Sequence, residues 1–201
     1  MKKSLLMLPI ALIAMAMALT ACGGGSSSSG GGEEAAIEEA IETSATSSDP
    51  SKCSEVQTEA FNEIETGTTG EESLKACEEE VEAESEPAES VTVSNVSENG
   101  DTATAEVAID GGSLAGQAVE VEVAKEEGSW KVNGFLGFSK YDAAGIGAAL
   151  EGKLAEEEGV SAAVAKCVTE GVEEMSQEEV ESMVFEKNNE GVEEIAEACN
   201  Q

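Results

Sequence analysis

The chain has 201 residues, and its 43 Asp and Glu stand against 10 Lys and Arg for a net charge of −33. Every cation is a lysine, since Arg and His are absent. Such a balance argues against nucleic acid as a partner and against a basic patch on anionic lipid, and the missing His removes the commonest general base and metal ligand.

Met1-Lys2-Lys3 gives a positive start, and Leu5 to Ala18 is an apolar run too short for a comfortable membrane span. Leu19-Thr20-Ala21-Cys22 and then Gly23 follow. Together these parts resemble the signal peptide and lipobox of bacterial lipoproteins. The resemblance implies that residues 1–21 are removed and that the sulfur of Cys22 carries a diacylglycerol. Acyl chains, palmitate among them, then hold the exported protein on the extracytoplasmic face of the cell membrane. Residues 22–32 are the lipidated cysteine and a Gly/Ser linker. As a flexible coil, ten such residues span roughly 17 Å and keep an acidic body off acidic headgroups.

The first body helix is expected from Glu33 to about Ser47, with Ile37, Ala40 and Ile41 on one face. Asp49-Pro50 breaks it. Ser51 caps a second helix holding Cys53, Val56, Phe61 and Ile64, and Gly67 to Gly70 turns into a third with Leu74, Cys77 and Val81. After Glu86-Pro87 the period changes to two. Val91 and Val93, then Ala103, Ala105, Val107 and Ile109, then Val119, Val121 and Val123, then Trp130 and Val132 alternate with polar residues. Turns at Asn99-Gly100, Asp110-Gly111-Gly112 and Glu127-Gly128 join them into a four-stranded antiparallel meander with one apolar face. The three helices ahead of it should cover that face.

From Tyr141 the pattern is helical. Ile146 and Leu150 are followed by the stripe Val160, Val164, Cys167, Val168 and Val172. Ser176-Gln177-Glu178-Glu179 reads as a capping box, and Val192, Ile195 and Cys199 form a last stripe. The expected divisions are therefore 33–140, an α+β domain, and 141–201, an all-α module.

Apart from Cys22, the cysteines are Cys53, Cys77, Cys167 and Cys199. An even count in an exported chain suggests disulfides, and four cysteines allow three connectivities. The local pairing Cys53–Cys77 and Cys167–Cys199 is favoured, because each pair falls within one division. Loops of about 25–33 residues then give about 3–4 kcal/mol each in the chain-entropy model. No C-x-x-C occurs, so a zinc site is not expected.

The layout of helices and sheet, the cysteine pair in helices two and three, the segment Val91 to Val96 and the closing run Glu126-Glu127-Gly128-Ser129-Trp130-Lys131-Val132 resemble the lipoprotein branch of the nuclear-transport-factor-2-like (cystatin-like α+β) superfamily. The stretch after Phe138 is similar to small cysteine-paired helical modules of secreted bacterial proteins. The first resemblance implies three helices on a curved sheet with a concave pocket, where enzymatic members place acid/base residues. This chain offers none there: the inward positions are Ala, Val or Ile, Asp101 and Asp110 sit at turns, and Tyr141 follows the last strand. Gly145 to Leu150 lacks the third glycine of a phosphate loop, and Glu78-Glu79-Glu80 reads as a solvated face. Trp130 is expected in the core. Phe135-Leu136-Gly137-Phe138 is expected to cement the two divisions or line a pocket mouth.

Two functional readings follow. The first is a non-catalytic, membrane-anchored binding or scaffold lipoprotein without a cofactor, its partner an envelope protein or a small apolar ligand. The second is an isomerase or hydrolase of the same superfamily acting on a small apolar substrate. A cavity of several hundred Å³ between the first helix and the sheet favours a ligand, and a filled one favours scaffolding.

Overall fold

The computed structural model describes residues 30–84, 86–156 and 160–200. The leader, Cys22 and most of the Gly/Ser linker lie outside the described residues. The chain is α+β: helices α1 (Gly30–Thr46), α2 (Lys52–Glu55), α3 (Glu59–Thr66) and α4 (Glu71–Glu84) precede strands β1 (Ser90–Asn99), β2 (Thr102–Asp110), β3 (Ala118–Glu126) and β4 (Ser129–Lys140). Helices α5 (Ala143–Glu156), α6 (Ala162–Glu173), α7 (Gln177–Phe185) and α8 (Glu190–Cys199) complete it. Among the described residues no helix is long and apolar enough to cross a membrane.

The strands form one antiparallel sheet in the order β1-β2-β3-β4. Its first hairpin pairs Asn99 with Thr102, so Gly100 and Asp101 are the central residues, one step later than the Asn-Gly expectation. Gly100 at φ 71° supplies the left-handed conformation that the first central position of such a turn favours. The β3–β4 turn uses Glu127 and Gly128, both with positive φ, as expected.

Irregular pairing bends the sheet. Asn95 (φ 54°) and Val96 on β1 stand opposite Ala105 alone, which keeps Val91, Val93 and Val96 half-buried. Against β3, strand β4 carries extra residues at Asn133, Leu136 and Ser139. These bulges place Trp130, Val132, Phe135 and Phe138 toward the core, although strict alternation from Val132 would have turned Phe135 outward. Leu136 is left 53% exposed.

Helix α1 begins at Gly30, inside the stretch expected to be linker. Its first turn needs carbonyl acceptors, which glycine supplies as well as any residue. Ile37, Ala40 and Ile41 are buried, and α1 packs on both β1 and β4. The helix expected from Ser51 to Ile64 is two helices. Between them Thr58 N donates to Val132 O (2.9 Å) and Val132 N donates to Val56 O (2.9 Å), so residues 56–58 pair with the edge of β4. A continuous helix would have consumed those backbone groups. Thr58 then caps α3, accepting from Phe61 N at 3.0 Å while its hydroxyl donates to the bulged Asn133 at 3.0 Å.

The disulfides pair Cys53 with Cys77 and Cys167 with Cys199, with Cα–Cα distances of 6.1 and 5.8 Å. One ties α2 to α4, the other α6 to α8. The capping box at Ser176 and Glu179 is present, and hydrogen bonds donated to the Glu179 carboxyl by the Ser176 hydroxyl and then by Ser176 N hold it below its usual range. The core does not stop at residue 140. Ile146, Val168, Val172, Val180 and Phe185 belong to the same buried cluster as the sheet valines. Phe185 of α7 lies 5.0 Å from Phe135 and 4.8 Å from Phe138, ring centre to ring centre. Glu181 Oε1 accepts from Phe138 N (2.7 Å) and Gln177 Nε2 donates to Phe138 O (3.2 Å), so α7 closes the bulged edge of β4.

Candidate functional site: an apolar cavity on the concave face

A cavity of about 860 Å³ is bounded by the sheet and by the helices packed on it. Its floor is Val107, Val119 and Val121 of the sheet; Ile41 of α1, Val81 of α4 and Leu150 of α5 form walls. Phe135 lines it as well as stacking on Phe185, so the Phe135–Phe138 segment both joins the two parts of the chain and borders the pocket. Cys77 brings the first disulfide to the wall.

The volume lies within the range of about 300–1,000 Å³ common to small-molecule sites. The apolar surface comes from the strand alternation and from the small number of aromatics. Alanine and valine on the sheet bring walls into van der Waals contact only where a bulky neighbour reaches across, and few bulky residues are available.

Charged side chains gather at the margins. Lys52, Lys153 and Lys187 line the cavity, together with Glu65, Glu80 and Glu86. Lys187 pairs with Glu65 at 2.9 Å and Lys153 with Glu86 at 3.8 Å. Lys52 differs. Its ammonium donates to Ser44 O (3.1 Å) and Ser47 O (2.9 Å) at the end of α1, and no acid pairs with it among the described residues. Burial pushes this amine below the ordinary lysine value. Beside it Gln57, buried, donates from Nε2 to Ser44 Oγ at 2.9 Å.

The residues weighed for acid–base chemistry fall elsewhere. The Asp101 carbonyl accepts from Lys125 N (2.8 Å) and that of Asp110 from Glu89 N (2.8 Å), both in backbone contacts between neighbouring chain segments. Tyr141 stacks on Phe138 at 5.4 Å, and burial followed by the nearby Asp142 raises its phenol. Its hydroxyl has no partner among the described residues. Trp130 is buried as expected. Its indole donates to Glu33 Oε2 at 2.6 Å, and Lys125 Nζ lies 2.8 Å from the same oxygen. That cluster pins the start of α1 to the hairpin between β3 and β4, away from the cavity. Among the described residues no three His, Cys, Asp or Glu converge as a metal-binding group.

Sequence reasoning missed Lys52. The available signal was a rare cation flanked by Ser51 and the disulfide residue Cys53 at the start of a helix. Comparison with family models, curated proteins and solved structures finds no match to this chain.

Proposed function

We propose that this chain is an exported bacterial lipoprotein, anchored through Cys22, whose body is a non-catalytic binding module for a small apolar ligand. The single observation that carries the binding reading is the apolar cavity of about 860 Å³ on the concave face of the sheet. A scaffold would gain stability by filling that volume, since protein interiors normally pack to the density of organic crystals. Support for a body of the nuclear-transport-factor-2-like kind comes from α1 lying across a curved sheet with its helical neighbours beside it. Support for the anchor is the Leu19–Cys22 box behind a short apolar run.

Two measurements test this. The neutral dye N-phenyl-1-naphthylamine should brighten on binding the protein, and Leu150→Trp, which adds bulk to the cavity wall, should weaken that binding at least tenfold. Equal binding by the variant would remove the cavity from the proposal. Separately, Cys22→Ser should move the protein from the membrane fraction to the soluble one; tight membrane association of that variant would overturn the anchor.

A further inference from the structure

The cavity has a polar end, where unused donors on Lys52 and Ser44 stand beside one acceptor, Gln57 Oε1. The ammonium of Lys52 has three hydrogens, of which two are given to the carbonyls of Ser44 and Ser47. The hydroxyl of Ser44 accepts from Gln57 and donates to no described residue. Both groups line the cavity, at the end formed by α1, α2 and α4. Lys153 and Lys187, also on the lining, already face carboxylates of the protein. Glu80 of α4 lines the cavity too, but it is exposed to water, whereas Lys52 is half-buried. Half-burial without an acid is unfavourable to an ammonium, and a ligand anion would relieve that cost.

We infer that the Lys52 end receives the head of an anionic amphiphile, an alkyl chain ending in a carboxylate, with the chain lying along Val107, Val119 and Val121. This rests on the cavity-binding reading above and adds the chemical class. Lys52 Nζ and Ser44 Oγ donate to the two carboxylate oxygens. The assignment runs against the global field, because a chain of net charge −33 attracts cationic amphiphiles and repels anionic ones. A carboxylate preference therefore has to come from the local donors.

The test displaces N-phenyl-1-naphthylamine from the mature protein with decanoate, 1-decanol and decyltrimethylammonium below their micelle concentrations, at pH 7.5 and 0.15 M NaCl. The alcohol is the fair competitor, since its hydroxyl can donate to Gln57 Oε1, which lies 3.3 Å from the disulfide sulfur of Cys77, an atom with no hydrogen to give. Decanoate should bind about tenfold more tightly than 1-decanol, the least expected of a charge-assisted hydrogen bond of about 1.5 kcal/mol. Each methylene removed from the carboxylate should weaken binding about fourfold, from about 0.8 kcal/mol per buried methylene.

Lys52→Gln should abolish the preference for decanoate, while Lys52→Arg retains it. Equal binding of decanoate and 1-decanol by the parent protein overturns the head assignment and leaves the cavity reading intact. Binding of none of the probes and no dye uptake overturns both. A folded Lys52→Gln that keeps the tenfold preference also overturns the assignment. If circular dichroism shows that Lys52→Gln does not fold, Lys153→Gln and Lys187→Gln decide: an unchanged preference in both supports the Lys52 end, and a loss in either refutes it.

Discussion

Phe185→Ala tests whether the helices after residue 140 are energetically part of the sheet. Phe185 is 8% exposed and its ring contacts Phe135 and Phe138 of β4 at 5.0 and 4.8 Å. Truncating a buried phenylalanine costs about 3–5 kcal/mol. The neighbouring cavity offers the surroundings room to relax, so about 3 kcal/mol is expected here. For a body of this size that corresponds to a fall of about 6–12 °C in Tm. The assay is urea unfolding followed by two probes. Trp130 is the single tryptophan and sits at the far end of β4 from Phe138, so its fluorescence reports the sheet. Far-ultraviolet circular dichroism reports mainly the helices. A core continuous from Val119 to Val172 predicts that both midpoints fall together by the same amount. An unchanged Trp130 midpoint beside an early helical transition would refute the continuity and restore two independent units divided near residue 140.

Gly111→Ala should destabilise the fold by roughly 2 kcal/mol or more, because Gly111 has φ 76° and a new Cβ would lie 2.8 Å from Glu89 N. Gly116→Ala, at φ 81° with nothing within 4 Å of its Cβ, should cost only the conformational part, about 1–2 kcal/mol; thermal melts that rank the two the other way would refute the packing argument. Glu33→Gln should lower the melting temperature at pH 7. Hydrogen bonds from Lys125 and then Trp130 hold the Glu33 carboxyl below its ordinary value, so the stability it contributes is complete above the unfolded-state value and is lost as pH falls through the folded one. The gap between variant and parent should accordingly close below about pH 4, and a gap that widens on acidification would contradict the assignment.

Much of the fold was legible because it depends on local rules. Period-two alternation from Val91 to Val132 is sufficient to define the strands, since only one register buries the valines. Pro50 and the Ser176–Glu179 box mark helix ends by backbone chemistry that acts within a few residues. The split between α2 and α3 was not legible. It depends on Val56 and Thr58 finding the backbone of Val132, a contact far along the chain that no helical periodicity encodes. The shared core across residue 140 was hidden for the same reason: the apolar stripes on α6 and α7 state that these helices bury a face, not against what.

The cavity illustrates the limit more sharply. One of its lining residues, Phe135, faces inward only because β4 carries extra residues, at Asn133, Leu136 and Ser139, that break its alternation. Glycines at 134 and 137 hint that the strand is irregular, and Gly137 at φ 143° adopts a backbone that favours glycine. Yet neither glycine states which way the bend goes. The polar end is built similarly from separate pieces. Lys52 belongs to a four-residue helix held by Cys53–Cys77, and its acceptors come from the last turn of α1 and just beyond it. Cleaving the disulfide would remove the covalent tie between α2 and α4, leaving the helix that carries Lys52 held by the pairing of residues 56–58 with Val132 and by Asn62 Nδ2 donating to Cys53 O at 2.7 Å. The bond that joins these two helices therefore also bears on the proposed head site, and an effect of reduction on ligand preference would follow from that proposal.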